Sequence, residues 1–405
     1  MRVLALIAIA AGLGVPFFGI AAQAPAERAR ELGIPLDGTP APLNAITDVP
    51  GVAVGHRTLI RGSGRLRVGF GPVRTGVTVI FPRGTADLAP VFGGWFSLNG
   101  NGEMTGTAWL DDYALLLYPI SISNTNSVGT VRDAIIEWGR PRVPGVFNCC
   151  LPVVAETWDG DLNDIYGFHL TKADVFAALA AAKSGAVPEG NVGGGTGMQC
   201  LGFKGGIGTA SRQLPPKAGG YVVGVLVQCN FGLRQQLRVA GVPVGAEVKV
   251  AEPCYATDRP LTAEQEQMRC PDGSGPAKEH GSIIVVIGTN APLLPHQLRR
   301  VARRAALGIG RMGGISGAGS GDLFLAFSTG RIPAQPDSVG TVALSMVSDE
   351  RIDPIYEATV QATEEAILNA LLAARTMTGA DDLRVYALPH DQLRNILRKY
   401  GRLRN

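Results

Sequence analysis

The sequence has very little excess charge and few aromatic residues for its length. Its 405 residues include 37 Lys and Arg against 34 Asp and Glu, and aromatic side chains make up 6%. The middle of the chain has no Lys/Arg run interleaved with aromatic residues, the pattern typical of nucleic-acid binding. The basic stretch 394–404 is interpreted as a solvated helix end and tail. Nucleic acid is therefore not an expected partner.

Motifs for several common chemistries are also missing. No G-x-S-x-G element places a serine beside a histidine, and no G-K-[ST] follows a glycine-rich loop. The glycine run 193–197 is interpreted as a backbone turn that lines a pocket. None of the six cysteines forms a C-x-x-C pair, so a zinc site is not expected. We predict neither a metal nor a cofactor.

The chain begins in the way that is typical of exported proteins. Arg2 precedes the almost wholly apolar stretch 3–20, and residues 22–24 (Ala-Gln-Ala) offer a small-x-small cleavage pattern. Residues 1–24 are predicted to be a signal peptide and 25–405 a single domain, either periplasmic or secreted. A retained membrane anchor is the alternative, because the apolar stretch approaches spanning length. Once the signal is removed, no stable membrane partner is expected.

Export changes the interpretation of the cysteines. Cys254 and Cys270 bracket a polar, proline-containing loop, and an oxidising compartment would permit a disulfide between them. Cys200 and Cys229 are interpreted as buried free thiols. The sequence thus predicts one disulfide, between Cys254 and Cys270.

Apolar patterns predict an α/β fold in which helices cover sheets. Hydrophobic residues make up 46% of the chain, which is enough for a sizeable core. Thr171 is suited to cap a helix, whereas the Gly- and Asn-rich segment 92–106 is predicted to be a loop. Strands are predicted at 52–54, 76–80, 152–156, 221–228, 283–287 and 323–327, and helices at 128–138, 172–183, 296–309 and 353–377.

The dipeptide Gly281-Ser282 is the most informative feature of the chain. It stands between the polar, turn-rich stretch 250–281 and the apolar run 283–287. A hydroxyl residue that follows a small residue and opens a strand suits self-cleavage, because the hydroxyl can attack the preceding carbonyl and the resulting ester can be lost to water. Ser282 would then be a new N-terminus. Its α-amine, with an ordinary pKa of about 7.7–8.0, would act as general base for its own hydroxyl.

A histidine triad is the weaker mechanism. The sequence has five histidines, and His280 lies just before the dipeptide. After cleavage His280 would be on the severed side, away from the nucleophile. The α-amine of Ser282 is therefore the preferred base.

A set of segments spread over nearly the whole mature chain carries a more specific signal. They lie at 38–40, 43–49, 152–157, 162–164, 189–198, 203–209, 224–228, 291–298, 360–366 and 389–393. Together they resemble the L-aminopeptidase/D-amidase-esterases of the DmpA type and the related β-aminopeptidases. The resemblance implies a four-layer α-β-β-α sandwich, like that of the N-terminal-nucleophile hydrolases but with different connectivity.

The resemblance also implies an activity. A precursor of this kind would divide into an α-chain (25–281) and a β-chain (282–405), and αβ units would form a homo-oligomer. The mature enzyme would release N-terminal residues from short peptides, amides or esters that carry a free N-terminal amine. It would be a serine aminopeptidase or amidase.

Individual roles are carried over position by position. Ser282 matches the nucleophile, and Asn230 stands where the family has an oxyanion donor. Ser320 and Asp322 match the element that holds the nucleophile and its amine, and Glu156 would bind the substrate ammonium. Each of two residues also has a purely structural alternative. Asn230 could be a turn residue that ends a strand, and Glu156 could be a salt-bridged residue at a strand end.

Two positions depart from the family pattern. Asp322 replaces a Glu, so its carboxylate reaches less far by one methylene. Trp158 stands where the family has a Tyr, and an indole N–H donates a hydrogen bond but accepts none. Trp158 could narrow the substrate pocket or simply form its wall.

Two other functions remain open from the sequence. The two departures would suit a degenerate homologue that cleaves itself, hydrolyses weakly and serves as a binding protein. An acyltransferase of the ornithine acetyltransferase type shares the fold, but its Thr nucleophile pattern is absent. The self-processing aminopeptidase is the preferred interpretation.

Overall fold

The apolar runs of the sequence form the central strands of two stacked sheets. A computed structural model describes residues 27–142, 151–270, 281–332 and 340–403. Within these ranges the strands are Ala53–Arg61 (β1), Val73–Phe81 (β2), Val91–Gly100 (β3), Leu115–Leu116 (β4), Ile120–Asn124 (β5), Val154–Thr157 (β6), Gln199–Cys200 (β7), Phe203–Lys204 (β8), Gly206–Gln213 (β9), Val222–Asn230 (β10), Cys254–Tyr255 (β11), Ser282–Thr289 (β12), Gly321–Ser328 (β13), Met377–Thr378 (β14) and Leu383–Val385 (β15). The α-helices are Thr107–Asp112 (α1), Val128–Gly139 (α2), Lys172–Ala181 (α3), Val244–Glu247 (α4), Ala263–Glu266 (α5), Pro295–Arg311 (α6), Asp353–Ala373 (α7) and His390–Lys399 (α8).

The two large sheets have mixed strand directions. One has the order β1-β2-β5-β6, and the other has the order β4-β3-β13-β12-β10-β9. In the larger sheet β12 pairs antiparallel with β10 and parallel with β13. Two smaller sheets, β11-β15-β14 and β7-β8, are not hydrogen-bonded to these as strands. The strand that begins at the Gly281-Ser282 dipeptide is thus an interior strand of the larger sheet.

Alternating side chains of the central strand enter two different cores. Ile283, Val285 and Ile287 pack with residues of α6 and α7. Ile284 and Val286 face the opposite way and pack against residues of the four-stranded sheet β1-β2-β5-β6. Because both faces are covered, the strand is apolar at consecutive positions rather than at every second one. This explains the unbroken apolar run 283–287.

Helices cover the outer face of each sheet. Residues of α2 and α3 share a core with β1 and β2, and α6 and α7 cover the larger sheet. Two strand glycines allow a close approach: a Cβ at Gly55 would lie 2.1 Å from the Ala178 carbonyl oxygen of α3, and one at Gly208 would lie 2.0 Å from that of Ala366 in α7. The order of layers is helix, sheet, sheet, helix. The predicted four-layer α-β-β-α sandwich is confirmed.

The predicted cap of α3 is also confirmed. Thr171 and Asp174 form a capping box, in which each side chain accepts a hydrogen bond from the other residue's backbone N–H. This pairing satisfies two N–H groups that the first turn of the helix leaves free.

The prediction that 92–106 is a loop was wrong for residues 92–100, because Val91–Gly100 forms strand β3, whereas 101–106 lies outside the helices and strands. Glycine normally weakens a strand, but here it makes room for a helix. A Cβ at Gly94 would lie 2.6 Å from the backbone nitrogen of Arg299 in α6. Gly94 therefore permits close contact between the helix and the sheet, rather than marking a turn.

Cysteine pairing was predicted only in part. The disulfide between Cys254 and Cys270 is confirmed, with a Cα–Cα distance of 5.2 Å. Cys200 and Cys229 also form a disulfide, with a Cα–Cα distance of 5.4 Å, so their interpretation as free thiols was wrong. Cys200 ends β7 and Cys229 lies near the end of β10, and the fold brings these strand ends together.

The predicted signal peptide at 1–24 lies outside the described residues, as does His280. Among the described residues, no helix combines the length and the apolar character needed to cross a membrane.

Candidate active site

Ser282 lies at the start of β12, between the ends of two neighbouring strands. Its partner across the antiparallel pair is Asn230, the last residue of β10. On the other side, the backbone N–H of Gly321 in β13 donates to Ser282 Oγ at 3.0 Å. The Ser282 residue is 4% exposed. Strand pairing therefore fixes the hydroxyl beside a carboxamide and a backbone N–H.

Gly281 packs directly against Asn230. A Cβ at this position would lie 1.8 Å from the Asn230 carbonyl oxygen and 3.0 Å from its Nδ2. Only a glycine fits here without displacing the backbone, because the nearest atom belongs to the main chain. The carboxamide of Asn230 is thus close to the residue whose carbonyl precedes Ser282.

The carboxamide of Asn230 is held at both ends. Its Nδ2 donates to the carbonyl oxygen of Trp158 at 2.8 Å, and its Oδ1 accepts from the backbone N–H of Gln199 at 2.6 Å. A carboxamide nitrogen carries two N–H groups, so one remains after the bond to Trp158. Asn230 thus ends a buried strand with its carboxamide oriented at both ends, and its role as oxyanion donor stays a prediction.

Asp322 lies in β13, and Ser320 is the residue just before that strand. Their side chains form a buried polar pair. Ser320 Oγ donates to Asp322 Oδ1 at 2.6 Å, and the backbone N–H of Ile283 donates to the same oxygen at 3.2 Å. Burial raises the pKa of Asp322, while hydrogen bonds from Ser320, Ser316 and Ile283 oppose that rise. The shorter carboxylate therefore still reaches β12, at the residue that follows Ser282.

Glu156 is a buried carboxylate at the end of β6. Its Oε1 accepts from the backbone N–H of Glu103 at 2.8 Å, and its Oε2 accepts from the Thr125 hydroxyl. Burial raises the pKa of Glu156, and these two hydrogen bonds oppose the rise. In the part of the chain that the structure describes, no basic side chain forms an ion pair with it, and its role in binding an ammonium stays a prediction.

One cavity of about 330 Å³ joins Ser282 and Glu156, whereas Asn230, Ser320 and Asp322 are not among the residues that line it. Its lining residues are Asn101, Gly102, Glu103, Thr125, Glu156, Trp158, Gly281, Ser282 and Gly319. Trp158 is part of its wall, and its ring meets that of Tyr166 edge-on with the centroids 6.5 Å apart. Ser282 and the carboxylate of Glu156 therefore open into the same space.

Several cavity residues were missed from the sequence. Glu103 and Thr125 hold Glu156, and Asn101 Nδ2 donates to the carbonyl oxygen of Gly319 at 2.8 Å. The Gly- and Asn-rich composition of 92–106 was the available signal, but it was interpreted only as a loop. None of these residues belongs to a motif that would have marked it.

The glycine run that was expected to line a pocket has another place. Gly193–Gly195 form a short 3₁₀ helix that is buried near β1, β2 and β5 and does not line this cavity. A Cβ at Gly194 would lie 2.1 Å from Gln228 Oε1, and one at Gly195 would lie 2.4 Å from the Ile207 nitrogen. These glycines serve packing between the layers.

No group of three or more His, Cys, Asp or Glu side chains suited to a metal ion occurs across the described ranges. That the reaction needs neither metal nor cofactor stays a prediction.

Comparison with known proteins identifies the family. The model of peptidase family S58 matches residues 44–385. The chain belongs to peptidase family S58. The predicted resemblance is confirmed, and this S58 chain is accordingly an aminopeptidase-type hydrolase with peptide substrates.

Relatives and solved structures agree with the fold. The S58 chain is 50% identical over 384 residues to a β-peptidyl aminopeptidase, BapA, of Sphingosinicella microcystinivorans, covering 95% of both chains. A β-aminopeptidase from Burkholderia sp. superposes with a TM-score of 0.81 at 46% identity, covering 92% of this chain and 99% of that one. The L-aminopeptidase D-Ala-esterase/amidase from Ochrobactrum anthropi, described as a variant of the Ntn-hydrolase fold, gives a TM-score of 0.82 at 45% identity, covering 93% and 100%.

The contact between Gly281 and Asn230 predicts the effect of a single methyl group. Gly281→Ala should destabilise the S58 chain by about 1–3 kcal/mol, because the new Cβ overlaps backbone atoms. The matched control is Gly310→Ala in α6, where a Cβ would meet nothing within 4 Å and helix propensity should favour Ala.

Both glycine variants are best compared by urea unfolding in a chain that also carries Ser282→Ala, so that the predicted self-cleavage does not separate positions 281 and 282. Equal unfolding midpoints for the two variants would contradict the close packing of Gly281.

Proposed function

We propose that this S58 peptidase is a self-cleaving serine aminopeptidase with Ser282 as its N-terminal nucleophile. The precursor divides between Gly281 and Ser282 into the chains 25–281 and 282–405. The observation that carries the proposal is the position of Ser282 Oγ, which opens into a cavity and lies opposite Asn230. The close packing of Gly281 on the Asn230 carboxamide gives further support.

Self-cleavage begins with attack of Ser282 Oγ on the carbonyl carbon of Gly281. The C–N bond then breaks as the hydroxyl proton passes to the Ser282 nitrogen, so that the acyl group moves from that nitrogen to Oγ and leaves an ester. Water hydrolyses that ester, which releases a Gly281 carboxylate and a Ser282 with a free amine. During attack the remaining N–H of Asn230 stabilises the developing oxyanion, a contact worth about 2.7–4 kcal/mol in comparable sites.

In turnover the Ser282 amine acts as the base. It accepts the proton from Oγ as the oxygen attacks the substrate carbonyl, and it returns a proton to the departing amine. Water then hydrolyses the acyl-enzyme. Asp322 and Ser320 are positioning residues in this scheme, because their hydrogen bonds hold the start of β12 through Ile283.

Glu156 selects substrates that have a free N-terminal amine. Its carboxylate is buried and opens into the cavity without a described cationic partner. A substrate ammonium would supply the missing positive charge, and an ion pair is stronger in such a poorly hydrated space than in water. Acylation of the substrate amine removes that charge and adds bulk.

Relatives support a further extension of the substrate range. Two proteins about half identical to this one carry the name β-peptidyl aminopeptidase. We therefore include short peptides with an N-terminal β-residue among the expected substrates, together with amides and esters. In such residues one more methylene separates the ammonium from the carbonyl.

Export is part of the same proposal. Residues 1–24 would be removed as a signal, and the mature enzyme would work in the periplasm or outside the cell. Two disulfides in the described residues suit an oxidising compartment. Assembly of αβ units into a homo-oligomer stays a prediction.

The first test concerns self-cleavage. Purified protein should show two chains by intact mass, the smaller one beginning at Ser282, because Oγ is placed to attack the preceding carbonyl. Ser282→Ala should remain a single, inactive chain, whereas Ser328→Ala, a buried serine at the far end of β13, should still divide. An unsubstituted chain that stays whole after long incubation would refute the proposal. Complete cleavage without any hydrolysis would instead favour the degenerate homologue.

The second test concerns Glu156. Glu156→Gln should raise KM for an aminoacyl p-nitroanilide at least tenfold, since hydrogen bonds to charged groups contribute about 1.5–3 kcal/mol. The N-acetyl form of the substrate should be a poor substrate for both proteins and serves as the control.

The pH dependence of KM tests the same carboxylate. Protonation of Glu156 removes its attraction for an ammonium, so KM should rise as pH falls. Because burial raises the pKa of Glu156, the rise should begin at a higher pH than for an ordinary Glu at about 4.3. Glu156→Gln should lack this acid limb. Equal rates on the free and acetylated substrates would argue against recognition of the amine.

A further inference from the structure

A buried lysine lies one peptide group away from the candidate oxyanion donor. Lys204 in β8 is fully buried, and its Nζ donates to the carbonyl oxygens of Met198 at 2.7 Å, Gly205 at 2.9 Å and Gly195 at 3.4 Å. An ammonium has three N–H donors and no acceptor, so three carbonyl oxygens match its charged form. Burial lowers the pKa of Lys204 to about 7, and the negative charge of Asp159 opposes that fall.

The lysine and the carboxamide contact opposite ends of the same peptide group. The Met198 carbonyl accepts from Lys204, and the N–H of that same peptide bond, on Gln199, donates to Asn230 Oδ1 at 2.6 Å. Asn230 Nδ2 in turn donates to Trp158. The three groups thus form one chain of hydrogen bonds that ends at the catalytic cavity.

Such a chain of hydrogen bonds transmits polarisation from the cation to the carboxamide. A cation on a peptide oxygen draws electrons from the peptide nitrogen, which makes its N–H a stronger donor. Successive hydrogen bonds polarise one another in this way, and they do so most where water is excluded. A stronger bond to Asn230 Oδ1 makes the Nδ2 hydrogens more positive, where an oxyanion would need them.

We propose that Lys204 is a positioning residue for the reaction, which orients and polarises the Asn230 carboxamide through the Met198–Gln199 peptide group. The inference rests on the proposed function, because it assigns Asn230 the role of oxyanion donor. A lysine that served only packing would affect folding stability without a selective effect on the chemical step.

The first experiment replaces the cation. Lys204→Met should lower kcat about tenfold and change KM less than about twofold, since outright loss of an oxyanion donor costs about 10²–10³ in kcat. The matched control is Arg234→Met: Arg234 is also buried and donates to the carbonyl oxygens of Gly202, Val250 and Ala251, but not to the 198–199 peptide group. It should lose thermal stability while kcat stays within about twofold, as expected for a structural cation.

A second pair of variants leaves Lys204 in place and covers the case in which Lys204→Met fails to fold. Gln199→Pro and Gln199→Ala both remove the side-chain bond to Asp161, but only proline removes the backbone N–H. The proline variant should have a kcat at least about tenfold below that of the alanine variant, a difference of the size expected for a weakened oxyanion donor. Equal kcat values would overturn the inference.

Coupling to Asn230 completes the test. In a chain that carries Asn230→Ala, Lys204→Met should cost little further activity, because both changes act through one carboxamide. If the two losses multiply, Lys204 acts elsewhere and the inference is wrong. Activity that survives Ser282→Ala would refute the proposed function itself, whatever the Lys204 variants show.

Discussion

The antiparallel register between β10 and β12 is the constraint on which the site depends. It sets Ser282 directly opposite Asn230, at the end of one strand and the start of the other. A slip of β12 by one residue would turn the Ser282 side chain to the other face of the sheet, away from the side chain of Asn230. The register is fixed because each face of β12 is buried in a separate core, so every side chain has a defined place.

The site combines buried polar groups with an apolar frame. Unpaired polar groups are costly inside a protein, and most of those near Ser282 are held by a neighbour, while Asp322 Oδ2 has no hydrogen-bond partner among the described residues. Asn230 is bonded at both ends, Glu156 accepts two hydrogen bonds, and Asp322 is bonded to Ser320 and Ile283. The polar groups of the site are therefore held both by backbone groups and by the hydroxyls of Thr125 and Ser320.

Much of the fold, and the position of Ser282 at the start of an interior strand, could be predicted from the sequence, because apolar runs and the Gly281-Ser282 dipeptide are local signals. What the sequence could not supply depends on contacts between distant segments. Strand β3 was missed because the glycine content that suggested a loop instead allows close packing against helix α6. The Cys200–Cys229 disulfide was missed because only the fold brings those strand ends together. The support of Glu156 by Thr125 likewise joins residues that share no motif.

The central claim is that Ser282, as a chain end, carries the acyl group during turnover. The most direct test incubates cleaved enzyme with a slowly hydrolysed aminoacyl ester, stops the reaction with acid and maps the adduct by peptide mass spectrometry. We predict the acyl mass on the peptide that begins with Ser282. An acyl group on any other residue, or no adduct on this peptide while the same sample hydrolyses the ester under conditions where acyl-enzyme must accumulate, would contradict the account.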